Sequence, residues 1–115
     1  MSNAEPSRGD VWDLSLDPTL GREQAGVRPA LIVSVDIFNE GHADLVVVIP
    51  ITRTQRRVRW HVPASPPEGG LVSESFIQCE NVRSVSKARL KRLRGRVSES
   101  KMLHVEDRLR ILLGL

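Results

Sequence analysis

A chain of 115 residues with 40% apolar and 27% charged positions is one globular domain in length, and that composition excludes a disordered chain. No stretch approaches the roughly 18 apolar residues of a helical membrane span and no signal-peptide pattern opens the chain, so a cytoplasmic protein with no membrane partner is expected. The net charge of +3 hides a division: residues 1–52 hold three Arg against eight carboxylates (−5), and residues 53–115 hold fourteen Lys/Arg against six (+8), which points to an anionic partner such as nucleic acid.

Residues 1–7, beginning Met1-Ser2-Asn3-Ala4, are expected to form a disordered or tag-derived N-terminus ahead of a single domain over 8–115. Trp12 to Leu16 alternates apolar with polar, the pattern of a half-buried strand, and Asp17-Pro18-Thr19 breaks it. Leu20 to Val27 reads as an irregular loop. A second strand is expected over Ala30–Val35, followed by a turn at Asn39-Glu40-Gly41. Leu45 to Ile49 is continuously apolar, as a strand buried on both faces would be, with Pro50 at its far end. Val58 to Val62 alternates again, setting Arg57, Arg59 and His61 on one face. Pro63 to Gly70 is a long loop, Phe76 to Val85 one longer strand or two short ones, and Leu93–Val97 a final short strand.

The C-terminus changes period. Ser98 reads as an N-cap with Glu99 in the first turn, and Met102, Val105, Leu109, Leu112 and Leu113 recur at three- and four-residue spacing. Five or six strands closed by one amphipathic helix predict a mainly β protein, a small antiparallel barrel with a C-terminal α-helix.

The chemistry-bearing residues narrow the reading further. Cys79 stands alone, so no disulfide and no cysteine-based zinc site is expected; it reads as a small hydrophobe buried in a strand. His42, His61 and His104 show no ligand spacing, so neither metal nor cofactor is expected. With aromatics at 3% and no Tyr, a multi-base stacking platform is disfavoured.

Three motifs then occur in order. Arg8-Gly9-Asp10-Val11-Trp12 leads through Asp17-Pro18-Thr19 to Glu23-Gln24-Ala25-Gly26-Val27-Arg28-Pro29-Ala30; Ile49-Pro50-Ile51-Thr52 follows; Cys79-Glu80-Asn81-Val82-Arg83 with Arg89-Leu90 comes third. Together they resemble the MazF/PemK (Kid) toxin family over nearly the whole chain. The resemblance implies an SH3-like barrel with a C-terminal helix, assembled as a homodimer. It also implies a metal-independent endoribonuclease, the toxin of a type II toxin–antitoxin pair, which cuts single-stranded RNA at short sequences. In that chemistry the substrate's 2′-hydroxyl attacks the adjacent phosphate, leaving a 2′,3′-cyclic phosphate and a 5′-hydroxyl.

By the same resemblance, Arg28 and Thr52 match the family's catalytic arginine and threonine. A guanidinium offers a planar fork of donors to phosphate oxygens, and a threonine hydroxyl can donate to a nonbridging oxygen. Glu23 is the carboxylate of the same motif, either accepting the 2′-hydroxyl proton or holding Arg28 in place. The expected RNA contacts are Gln24, Arg53, Thr54, Arg56, Arg57, Arg59, Glu80 and Arg83. Two positions depart from the family pattern: Glu80 stands where Asp is expected, and Arg53 intervenes before Thr54. The run Arg83, Lys87, Arg89, Lys91, Arg92, Arg94 and Arg96 would meet RNA or the acidic C-terminal segment of a cognate antitoxin. The alternative reading is a non-catalytic binding module on the same barrel, either an inactive RNA or antitoxin binder or a gyrase inhibitor of the CcdB type. That type relies on a terminal Trp-Gly-Ile, whereas this chain ends Leu113-Gly114-Leu115.

Overall fold

The computed structural model describes residues 5–15 and 26–115. Its elements run β1 (Asp10–Ser15), β2 (Val27–Ile32), the single turn α1 (Asp36–Asn39), β3 (Leu45–Thr52), β4 (His61–Ala64), β5 (Ser75–Gln78), β6 (Arg83–Ser86), β7 (Leu90–Arg96) and α2 (Glu99–Leu113). Short 3-10 turns lie at Glu68–Gly70, Cys79–Asn81 and Lys87–Arg89. The strands form one sheet in the order β4-β5-β3-β2-β1-β7, with β6 also paired to β3. All of these pairings are antiparallel. Among the described residues no ladder joins β4 to β7, so the sheet bends without closing and the expected barrel is incomplete. The mainly β architecture with a C-terminal helix is as expected.

β3 is the spine of this sheet. Its apolar run divides between the two faces as a period of two requires. Val46 and Val48 pack with Trp12, Leu14, Ala30, Ile32 and Val85 on one side. Ile49 and Ile51 pack with Val11, Leu31, Val62, Ile77 and Val105 on the other. Pro50 is not at the strand's end, because pairing continues to Thr52. Val47 N–H donates to Ser34 Oγ and Val33 N–H donates to Val47 O on the β2 side. By alternation, residue 50 would direct its N–H to the opposite edge. There β6 pairs as far as Val48 and β5 begins at Ile51, so the proline's missing donor falls in the gap between the two partners.

Several boundaries differ from expectation for identifiable reasons. Arg57 and Arg59 do not share a strand face with His61, because residues 53–60 form no ladder and β4 starts at His61. Over Phe76 to Val85 the two-strand alternative holds, since Cys79–Asn81 forms a 3-10 turn, which also places Cys79 outside the strand expected for it. The last strand is longer than expected, Leu90–Arg96, because β1 pairs along most of it.

Helix α2 begins as expected. Ser98 Oγ accepts from Lys101 N–H at 3.1 Å, and Gly114 ends the helix in the left-handed region at φ 74°. Val105 is fully buried, with Met102 and Leu109 packed beside it. Leu113 does not join this face and is exposed, as are Leu103, Ile111 and Leu115.

Two backbone segments meet at glycines. Gly70 has φ +69°, and a Cβ there would lie 2.1 Å from Arg94 O; a Cβ on Gly95 would lie 2.8 Å from Gly70 N. The loop after β4 is therefore pressed onto β7, and Glu68 Oε2 fixes it further by accepting from Ser98 N–H at 2.6 Å. Gly70→Ala is expected to lower unfolding free energy by about 1–3 kcal/mol through backbone displacement, read as a lower urea midpoint with an unchanged slope.

Candidate active site

The register of β2 against β3 sets Ala30 opposite Pro50, Leu31 opposite Ile49 and Ile32 opposite Val48. The ladder ends at the Ala30–Pro50 pair; the same alternation carried two positions further would bring Arg28 across from Thr52. Leu14 lies opposite Arg28 on β1, Phe76 opposite Thr52 on β5, and Pro63 opposite Phe76 on β4. One transverse row of the sheet thus carries both sequence-predicted reacting residues. Arg28 is exposed and Thr52 is half-buried.

Thr52 Oγ1 accepts a hydrogen bond from Thr54 N–H at 3.1 Å. That bond orients the hydroxyl and leaves its own proton to donate outward. Beside the row opens a groove of about 380 Å³, whose lining includes Arg28, Arg53, Arg94, Ile51, Ser73 and Ser75; Thr52 is not among its lining residues. Glu23 and Gln24 lie outside the described residues.

The structure sorts the basic half of the chain into two groups. Arg92 Nε and Arg94 Nη1 both reach the Asp13 carboxylate, at 3.2 and 2.9 Å, and Arg96 Nη1 reaches Asp10 at 2.7 Å. Lys87 Nζ donates to Asn39 O at 2.6 Å, and Arg89 Nη1 to Ser15 O at 3.3 Å. Much of the β7 run therefore neutralises β1. The second group is exposed: Arg53, Thr54, Arg56, Arg57 and Arg59 lie in the segment between β3 and β4, and Arg83 opens β6 opposite Val48. Among the described residues, none of these arginines has an ion-pair partner. The Arg59 guanidinium sits over the Trp60 ring, 5.3 Å from its centroid.

Glu80 is held in place by the fold. Its Oε2 lies 2.8 Å from Nε2 of His61, a side chain buried at the start of β4. The longer side chain at this position thus spans from the Cys79–Asn81 turn to the strand. Burial pushes the neighbouring Cys79 thiol up to about 11, and the Glu80 charge adds to the shift. A thiol so raised and fully buried has the character of a structural cysteine.

Composition and spacing gave no signal for Asp13, Ser73, Ser75 or the groove position of Arg94. Asp13 read as an ordinary polar position in an alternating strand, and Arg94 as one member of a basic run. Only the pairing of β1 with β7 brings them together.

Two outcomes test this part of the site. Cys79 should stay unmodified by iodoacetamide at pH 7.5 in the native protein and react within minutes in 6 M guanidinium; fast native labelling would contradict its burial. Glu80→Gln, which removes the charge beside buried His61, is expected to cost about 1–3 kcal/mol of stability in a urea titration.

Comparison with known proteins identifies the family. Residues 7–113 match the family described as the PemK-like, MazF-like toxin of type II toxin-antitoxin systems. The chain is 38% identical over 110 residues to endoribonuclease MazF of Staphylococcus epidermidis, covering 94% of this chain and 91% of that protein. Its fold is similar to a mycobacterial endoribonuclease solved in complex with its cognate antitoxin (TM-score 0.78, 29% identity, 96% of each chain). It is also similar to MazF in a MazE–MazF crystal structure from Deinococcus radiodurans (TM-score 0.84, 25% identity, 98% of this chain and 99% of that one). The family match spans all three sequence motifs and every described strand, so the chain belongs to the PemK/MazF family of type II toxins.

Proposed function

We propose that this protein is a cytoplasmic endoribonuclease, the toxin of a type II toxin–antitoxin pair, and that Arg28 and Thr52 act on the scissile phosphate. The observation that carries the reading is that Arg28 and Thr52 stand at neighbouring ends of the paired antiparallel strands β2 and β3, with Arg28 lining a groove shared with Arg53 and Arg94. The substrate's 2′-oxygen attacks the neighbouring phosphorus while the bond from phosphorus to the 5′-oxygen breaks. A 2′,3′-cyclic phosphate and a 5′-hydroxyl result. The attacking hydroxyl loses a proton and the leaving oxygen gains one, so the reaction is balanced without an external reagent.

Each residue has a task suited to its chemistry. Arg28 presents a donor fork to the crowded phosphate as negative charge builds on it. Thr52, already accepting from Thr54 N–H, has its hydroxyl proton available for a nonbridging oxygen. Glu23 is assigned to accept the 2′-hydroxyl proton. Arg53, Thr54, Arg56, Arg57, Arg59 and Arg83, with Gln24, supply RNA contacts around the site. Glu80 is assigned to the site's frame, because its carboxylate is engaged by His61. The family further implies a homodimer and inhibition by a cognate antitoxin whose acidic C-terminal segment competes with RNA. The apolar Leu103, Ile111 and Leu113 left exposed on α2, with Leu115 just beyond it, support an oligomer.

The test is digestion of a long single-stranded RNA in excess EDTA, with product ends mapped. Wild-type protein should cut at defined sites and leave cyclic phosphate ends. Arg28→Ala should lose about 10²- to 10³-fold in rate, and Thr52→Val about 10- to 100-fold, with folding intact. Full activity in Arg28→Ala, or cleavage abolished by EDTA, would overturn the assignment.

A further inference from the structure

We propose that Arg94 is a second phosphate contact in the groove, holding the phosphate of the bound RNA next to the one at Arg28. The proposal rests on the endoribonuclease reading above. Arg94 and Arg28 come from strands that do not pair with each other, yet they line the same groove. A polynucleotide lying along it with one phosphate at Arg28 presents the next phosphate one nucleotide away.

Arg94 is built into the wall and does not wave in solvent. Its side chain is 17% exposed; Nη1 donates to Asp13 Oδ1 at 2.9 Å, and Nη2 reaches Gly70 O at a long 3.4 Å. A guanidinium held in this way loses little conformational freedom when it meets an anion. Its charge is not cancelled, because Asp13 is shared with Arg92. One carboxylate against two guanidiniums leaves a positive excess beside Arg28 and Arg53, neither of which has an ion-pair partner among the described residues. The facing wall offers hydroxyls: Ser75 Oγ donates to Ser73 O at 2.8 Å, which steadies the loop, and Ser73 lines the groove beside it. The close approach of Gly70 to Gly95 fixes that wall against Arg94's own strand. A groove of about 380 Å³ falls within the usual range of small-ligand sites, so it can seat a nucleotide's phosphate and sugar. RNA is favoured over an acidic peptide because Arg28, in the same groove, is the residue assigned to the scissile phosphate.

The experiment measures binding of a fluorescent, mixed-sequence 2′-O-methyl RNA, which binds but lacks the attacking hydroxyl, across a salt series. Arg94→Gln should raise Kd about tenfold and reduce the slope of log Kd against log salt by about 0.7, the change for one phosphate of a single strand. Arg94→Lys should keep the slope and raise Kd less. Ser73→Asp, which adds a carboxylate to the groove without touching the Asp13–Arg94 pair, should weaken binding with Tm unchanged. It decides the question if Arg94→Gln does not fold. An unchanged slope in folded Arg94→Gln, or unchanged binding in Ser73→Asp, overturns the proposal. So does a loss confined to binding of a polyglutamate peptide. If the wild-type chain neither cuts nor binds RNA, both readings fall; if it does both and these variants match it, only the Arg94 assignment falls.

Discussion

Burial of β3 on both faces is the constraint from which the remaining geometry follows. Val46 and Val48 face one cluster and Ile49 and Ile51 the other, each worth about 1.5–3 kcal/mol on removal from water. A one-residue slip would exchange the two sets and offer each cluster side chains of the wrong shape, so the register is strongly specified. With the register set, Pro50 falls where β6 gives way to β5, and Thr52 ends β3 near the start of β2, where Arg28 stands. The position of the candidate reacting pair is thus a consequence of core packing. No local interaction between the two side chains is needed to hold them together.

A second constraint is electrostatic. Pairing β7 against β1 brings Arg92, Arg94 and Arg96 toward Asp13 and Asp10, so the acidic first half of the chain is partly spent on the basic second half. Asp10 shows how completely this is done. Its buried carboxylate accepts from Ser7 N–H at 2.9 Å, Trp12 Nε1 at 3.2 Å and Arg96 Nη1 at 2.7 Å. Gly9 precedes it at φ +97° and passes its N–H to Ile32 O. The opening Arg8-Gly9-Asp10-Val11-Trp12 motif is therefore a structural hub that ties the N-terminus to β7. Arg8 adds a bond to Val33 O and a salt bridge to Glu106 on α2.

These two constraints also explain what could be read from the residues alone. The apolar run at Leu45–Ile49 announced a doubly buried strand, and the spacing from Met102 to Leu109, with Ser98 ahead of it, announced the helix. Both are local patterns whose period survives folding. The choice between one strand and two over Phe76–Val85 could not be made, because the turn at Cys79–Asn81 lacks glycine and proline. The strand expected at Val58 begins three residues later, since the arginines before it have no partner strand. Arg28 and Thr52 were legible only through their motifs; spacing by itself does not reveal that residues 24 apart are opposed. The division of the basic run into paired and unpaired members was out of reach, because it depends on which strand lies beside β7.

The pairing of charges has a consequence for how recognition and reaction divide between parts of the molecule. Arg28 and Thr52 stand on strands whose ladders and cores fix them, which suits groups that must meet a transition state in one geometry. Residues 53–60 carry four arginines without a ladder, and the Arg59–Trp60 stack is the one described ring contact that organises them. Such a segment adapts to the strand it meets at an entropic cost paid on binding, and it can differ between relatives without disturbing the chemistry. Arg94 belongs to neither class. It carries binding charge, yet Asp13 and the Gly70–Gly95 contact hold it as firmly as a reacting residue. On the proposed reading, a held charge in the groove of Arg28 would set the phosphodiester's position along it, and that position would decide which phosphorus lies within reach of Arg28.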